Sequence, residues 1–324
     1  MGIGLITDMK VYEDNLAGGY IERITQNING FNAASNGCLV LRGEDKTGDF
    51  AREAFWKLVS GMSRRDDTSV AAQTPQLLTQ DENITVKLKH KFNQFAMTED
   101  AFYSSGRNPD EFSFVLGQQM ADQATQYTLN RLIAAINAAL SGVAGATLDV
   151  SGLGSGTTLS PQNLNKALAL FGDQQSRISM WVMAGAGMNA IADKMLGDAK
   201  FNDSGVSIYN GGVPTLGRPV LTIDTDVTST VDGKFQVFGL VKDAGLAIQS
   251  EPARAIFERK GGGENIVIQG QAEGAFNLGV KGFKYDTSNG GRNPNDSTIT
   301  TASNWDQVYG SVKDLAGVRL VVAQ

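Results

Sequence analysis

Two residue types that recur in soluble active sites are almost missing from this chain. Among 324 residues there is one cysteine, Cys38, and one histidine, His90. A single cysteine excludes a disulfide within the chain, and one of each excludes a Cys/His zinc site built by one subunit. A serine triad or cysteine dyad would have to run through His90. Proline is scarce at 7, and charged residues make up 19%, below the roughly 25% of an average soluble domain. Positive charge is in deficit: 28 Lys and Arg against 34 Asp and Glu leave a net charge of −6 and a pI near 5.0. That balance is poor for sequence-specific nucleic-acid binding, although a local phosphate-facing patch is compatible with it. The longest apolar stretch, 132–148, is interrupted by Asn137, Ser141, Gly142 and Gly145. It is shorter than the ~20 residues of a membrane span and reads as the buried end of a helix. Asp8 and Lys10 break any signal-peptide core, and Ile6 stands where a myristoylation signal begun by Gly2 needs Ser or Thr. The sequons at Asn83, Asn202 and Asn295 carry no weight without a secretory signal. Synthesis and retention in a cytoplasm, with no membrane partner, are expected.

What is present is enough apolar residue for a core (41%) and abundant glycine (38). The length suggests about two domains. Residues 1–36 read as polar and irregular, with a short helix over 14–28 marked by Leu16, Tyr20, Ile24 and Ile28. A short apolar strand follows at 38–42. Thr47-Gly48-Asp49 then reads as a helix start, with Phe50, Ala54, Phe55, Leu58, Val59 and Met62 on one face. The cluster Arg64-Arg65-Asp66-Asp67 reads as solvated, and 68–82 as loop. Over 84–92 the alternation predicts a strand. Ile84, Val86, Leu88, His90 and Phe92 form one side, and Thr85, Lys87, Lys89 and Lys91 the other. A lysine-lined face suggests an edge strand, or a surface that meets acidic groups on another chain.

The dominant element is a helix predicted over 109–140. Asn108 is its expected N-cap, Pro109 opens it, Asp110 and Glu111 suit its first turn, and Gly142 and Gly145 end it. A Gly/Ser/Thr linker at 151–158 follows. Helices are then expected at 161–171 and 188–196, and strands at 179–184 and 219–223. Beyond these the chain reads as mainly β, with strands at 235–241, 255–259, 266–269, 275–284 and 318–322. Gly261-Gly262-Gly263 makes a turn, and 286–304 is polar loop.

Few patterns could carry chemistry. Gly185-Ala186-Gly187-Met188-Asn189-Ala190 follows a strand and opens a helix, as in a dinucleotide-binding turn. The helix is short, however, and no acidic residue ends a second strand at the usual ~20-residue spacing. A tight strand-to-helix turn explains it as well. The stretch 152–158 has no P-loop lysine, and Asp224 and Asp226 have no third placed ligand for a cation. His90 and Cys38 fall in apolar strands and read as packed residues. No catalytic, cofactor or metal constellation emerges, so no enzyme and no cofactor are expected. The arm, the lysine-faced excursion and the oversized helix instead suggest a subunit that buries these features on its neighbours.

Six stretches, in order, are NINGFNAASNG (27–37), GDFAREAFWKLVSGMSRRD (48–66), LLTQDENITVKL (77–88), GRNPDEFSFVLGQQMAD (106–122), LGVKGFKYD (278–286) and AGVRLVVA (316–323). Together they resemble the major capsid proteins of tailed bacteriophages, which have the Hong Kong 97-like fold. The resemblance implies an α+β chain divided as follows: 1–36 an N-terminal arm, 37–98 an extended loop over a neighbour, and 99–142 a peripheral domain with its spine helix. An axial domain at 143–249, return strands of the peripheral domain at 250–285, and a C-terminal loop and strand at 286–324 complete it. It implies hexamers and pentamers closing into an icosahedral virion shell around double-stranded DNA, which is held without sequence specificity. Portal and decoration proteins are implied partners, assembly takes place in the host cytoplasm, and Lys87, Lys89, Lys91, Arg64 and Arg65 are candidate inter-subunit contacts. Because motif-like sequence begins at Asn27, with only a short helix before it, a separately encoded scaffolding protein is expected. An encapsulin-like protein compartment and a dinucleotide-binding enzyme using 185–190 are the alternatives.

Overall fold

The computed structural model describes residues 7–43, 48–56, 64, 67–68, 75, 77–104, 109–198, 215–228 and 233–324. The first part contains α1 (Thr7–Ala34), β1 (Leu39–Gly43), β2 (Phe50–Trp56), β3 (Gln80–Lys91), β4 (Phe95–Thr98), α2 (Glu99–Ser104) and α3 (Pro109–Ser141). The middle contains β5 (Thr147–Asp149), α4 (Pro161–Ala169), β6 (Ile178–Met183), α5 (Gly185–Asp198), β7 (Val220–Thr222) and β8 (Lys234–Val241). The last part contains β9 (Gly245–Lys260), β10 (Val267–Val280), β11 (Phe283–Tyr285), α6 (Thr287–Gly290), α7 (Asp296–Ile299), β12 (Trp305–Gln307) and β13 (Gly317–Ala323).

Two sheets organise these elements. One runs β1-β9-β10-β3-β2, with β4 also on β10; the other runs β5-β13-β8-β6-β7. The second sheet takes an inner strand from the last part of the chain, since β13 pairs with β8 antiparallel and with β5 in parallel. α3 joins the sheets. At 1.5 Å per residue its 33 residues span about 50 Å. Its C-terminal half is apolar nearly all round, and Leu132, Ile133, Ala134, Ala135, Ile136, Ala138, Ala139 and Leu140 are buried. A helix with no polar face at that end has to run through the interior. One continuous core includes Leu39 and Val86 from the first sheet, Ile136 and Leu140 from α3, and Trp181, Val237 and Leu320 from the second.

Several expectations change. The helix predicted from Thr47 onward is strand β2 over Phe50–Trp56, antiparallel to β3 from Phe50↔Val86 to Trp56↔Gln80. Its apolar spacing imitates a helical face, but cross-strand pairing decides the backbone; Phe50 lies against Tyr285 and Phe55 against Tyr309. The rest of that predicted helix, 57–62, lies outside the described residues. The irregular arm contains instead a 28-residue helix lying parallel to α3 within the same chain. A Cβ on Gly19 would sit 2.6 Å from the Phe114 carbonyl oxygen. Gly19, inside the helix expected over 14–28, therefore lies where α1 packs closely on α3. Arg23 pairs with Asp122 at 2.8 Å, and Asn27 donates to the same carboxylate at 2.7 Å.

The strand predicted at 84–92 starts earlier, at Gln80. It pairs with β2 over Gln80–Val86 and with β10 over Val86–Lys91, so each half has its own ladder partner. The short strand predicted at 255–259 is sixteen residues long, with two register shifts against β10 near Pro252. Such irregularities accommodate a proline, which has no N–H to donate to the ladder. The segments 266–269 and 275–284 belong mostly to one strand, β10. The polar stretch 286–304 is ordered by side-chain caps: Asp286 accepts from the Ser288 and Asn289 N–H groups, and Asn295 from that of Thr298.

Candidate functional site

The glycine-rich turn at 185–190 opens α5 after β6, as expected, but its anion position is already filled. The Gly185 N–H donates to the Asp224 carboxylate at 2.9 Å, so a carboxylate of the chain stands where a bound phosphate would accept that hydrogen bond. A Cβ on Gly187 would meet Leu159 at 3.5 Å. These glycines serve packing, and the dinucleotide reading has no room here. Asp226 turns the other way, to Arg131 at 3.5 Å. Among the described residues no group of three or more His, Cys, Asp or Glu side chains could hold a metal ion. Among the described residues no helix is long and apolar enough to cross a membrane.

Cys38 is fully buried and lies 3.1 Å from the Ser179 hydroxyl; burial pushes its thiol pKa up. His90 is enclosed by the rings of Phe92, Tyr127 and Phe276 at 5.7, 6.1 and 5.5 Å. Both its nitrogens are buried without a hydrogen-bond partner, and burial lowers its pKa. A Cβ on Gly274 would reach 2.9 Å from Nε2, which explains the glycine opposite. Lys89, Lys91, Arg254, Glu251 and Glu273 are the charged groups around the neighbouring cleft. The unfolded imidazole takes up a proton near pH 6.5, while the folded one resists it. Stability is therefore full above about pH 6.5 and falls as the pH drops below that value, by at most ~1.4 kcal/mol per unit. His90→Phe should flatten that dependence, measured as the urea midpoint of unassembled subunits at about pH 7.5 and 5.5. An unchanged slope would show that other groups carry it.

The lysine stripe is not one surface. The Lys87 side chain is 5% exposed and its ammonium lies 3.0 Å from Glu251, while Lys89 and Lys91 are exposed. Lys87 lies between β10, where Asn277 is opposite it, and Asp49, whose carbonyl accepts its N–H at 3.0 Å. The Lys89 N–H, on the strand's unpaired side, donates to Asn293 Oδ1 at 2.8 Å. Arg64 is exposed, and Arg65 lies outside the described residues.

Other outward features had no local signal in the sequence. At the far end of the β2–β3 ribbon, Trp56 is 63% exposed, and Leu77 and Leu78 follow at 87% and 65%. β9 and β10 form a second ribbon, with β4 alongside β10. Its end is tied down by Arg259 to Glu99, and Ile256 is 70% exposed on it. Inside, Arg131 of α3 is an unforeseen tie. Its side chain is 12% exposed, pairs with Asp226 and with Asp296 at 3.1 Å, and lies over the Tyr127 ring. An arginine surrounded by apolar residues in sequence could have raised the question, but its partners are more than ninety positions away.

A long helix thus crosses two sheets from which two ribbons project. A chain from Mycobacterium phage Adephagia superposes with a TM-score of 0.52 at 10% identity, covering 87% of each chain. A chain from Microbacterium phage Oxtober96 gives 0.50 at 13%, covering 76% of this chain and 84% of the other. A chain from Mycobacterium phage Bobi gives 0.50 at 10%, covering 87% and 88%. At these identities the likeness concerns the fold, which is of the Hong Kong 97-like type. No curated protein sequence matches. The family model described as major capsid protein 13-like matches residues 8–319. The chain belongs to the Gp13-like family of phage major capsid proteins.

Proposed function

We propose that this chain is the coat subunit of a tailed phage, forming hexamers and pentamers that close into an icosahedral shell around double-stranded DNA. The family match over 8–319 carries the reading. The two ribbons support it: exposed Trp56, Leu77, Leu78 and Ile256 are costly in a lone soluble subunit and are covered when copies pack together. The β2–β3 ribbon suits the extended loop over a neighbour, α3 the spine, and the five-stranded sheet the axial domain around capsomer centres. The subunit's role is structural rather than enzymatic. Its net charge of −6 suits a container that encloses DNA without gripping it, since tight binding needs many cationic phosphate contacts. The shell assembles in the host cytoplasm, with a portal and with decoration proteins as further partners.

A scaffolding protein belongs to the same reading. Curvature is a small difference between similar contacts, so subunits alone select it poorly. Expressed by itself, the chain should yield aberrant shells, tubes or free capsomers in negative-stain electron microscopy. Only compact monomers under all conditions would overturn the shell. Uniform closed shells would remove the scaffold and leave the coat function in place.

A further inference from the structure

The two ends of β3 differ in charge, and the inference drawn from them rests on the shell reading. At the C-terminal end, exposed Lys89 and Lys91 line a cleft of about 380 Å³ with Arg254. The carboxylates there are engaged: Glu251 by the Lys87 ammonium at 3.0 Å, and Glu273 by the Gln271 amide at 3.0 Å. At the other end a cleft of about 410 Å³ is lined by Asp81, Glu82, Asp286 and Asp306. Its one ammonium, Lys284, is already paired with Asp81 at 3.2 Å. Among the described residues Glu82 meets an exposed Arg52 at 3.5 Å, and Asp306 is exposed.

Residues 82 and 89 are seven positions apart on one strand, or about 23 Å at 3.3 Å per residue. β3 is hydrogen-bonded to β2 along one half and to β10 along the other, so one copy cannot fold its two ends onto each other. Two copies can join them, and because the joined surfaces differ, the contact is head-to-tail. Such contacts repeat around a ring when the rotation closes.

We propose that the Lys89/Lys91/Arg254 cleft of one copy docks on the Glu82/Asp306 rim of the next copy in the same ring. Exposed ion pairs contribute little strength individually. Their effect is on register and on rejection of wrong neighbours, because like charges placed face to face are disfavoured.

The test uses the full chain and its charge reversals, read by sedimentation and electron microscopy. Lys89→Glu with Lys91→Glu, and separately Glu82→Lys with Asp306→Lys, should each lower the assembled fraction at least tenfold. Circular dichroism melting should stay as in the wild type, because all four side chains are at the surface. The chain carrying all four substitutions should assemble again, since the signs are exchanged but still complementary. Mixing the two double variants should restore rings only by strict alternation. That permits six-membered and forbids five-membered rings, so sheets or tubes should form in place of closed shells. Normal assembly of either double variant, or no recovery in the fourfold one while the wild type assembles, overturns the pairing alone. Loss of DNA from otherwise normal particles of the lysine variant also overturns it, in favour of a phosphate contact. A wild-type chain that never leaves the monomer overturns the shell reading and the pairing with it.

Discussion

Replacing Trp181 with alanine should destabilise the subunit by about 3–5 kcal/mol, the usual range for deleting a fully buried aromatic side chain. Trp181 is 0% exposed in the middle of β6, and its indole N–H donates to the Thr215 carbonyl at 3.3 Å. Its partner across the ladder is Gly239 of β8. A Cβ there would lie 2.8 Å from Trp181 Cζ3, 3.0 Å from Val318 Cγ2 and 3.2 Å from Ile178 Cγ2. The glycine makes room for the indole, so Gly239→Ala alone should cost about 1–3 kcal/mol by overpacking. In the Trp181→Ala background the obstruction is gone, and the added methyl enters a cavity. The two changes should then be non-additive, coupled by roughly 1–2 kcal/mol in the favourable direction. Urea unfolding of unassembled subunits measures the cycle. Additive costs would mean that Gly239 is needed for its backbone and not for the indole. Because shells draw on folded subunits, Trp181→Ala should also depress assembly at temperatures where the wild type assembles fully.

The elements that were legible from sequence are those whose signal is local. α3 declares itself through Pro109, Asp110, Glu111 and an apolar run closed by glycine, and the structure extends it only to Ser141. α4 follows from Ser160-Pro161, with the Ser160 hydroxyl capping Asn163 N–H. What was illegible depends on partners far along the chain. Phe50, Ala54 and Phe55 satisfy a helical spacing, and only β3, thirty residues on, makes them a strand. Gly19 gives no sign of its packing role unless Phe114 is known to lie against it. β3 was recognised by its alternation, yet alternation says which residues share a face and not what covers that face. Lys87, Lys89 and Lys91 therefore looked equivalent, although Glu251 meets only the first. The family and its fold were legible through the order of the family-like stretches. Trp56, Leu77 and Leu78 gave no sign of their exposure, because a local pattern does not show which apolar residues the fold leaves uncovered.

Glu251→Ala should destabilise the subunit more than Lys87→Met does, although each removes one side of the same ion pair. The asymmetry comes from burial: the Lys87 side chain is 5% exposed and that of Glu251 38%. Deleting the carboxylate takes the 3.0 Å counter-charge away from an ammonium shut in the sheet, and breaking a buried pair by removing one partner costs ~3–5 kcal/mol in a dry site. Glu251 borders an open cleft, which screens part of this, so about 1–3 kcal/mol is expected. Lys87→Met removes the charge itself and keeps an unbranched chain of similar length in the same space. It should be within about 1 kcal/mol of the wild type, since the freed Glu251 can turn to water. In the double variant the cost of losing Glu251 should largely vanish. The pair also sets an acid limit. Hydrogen bonding and charge from Lys87 hold the Glu251 carboxyl below its ordinary pKa, so this stability is present above about pH 4.3 and is lost as the pH falls through the lowered folded value. Lys87→Met should remove that acid sensitivity while leaving shells intact. If it abolished assembly without loss of subunit stability, Lys87 would be acting across a subunit boundary, and the Glu251 contact would not be its native role.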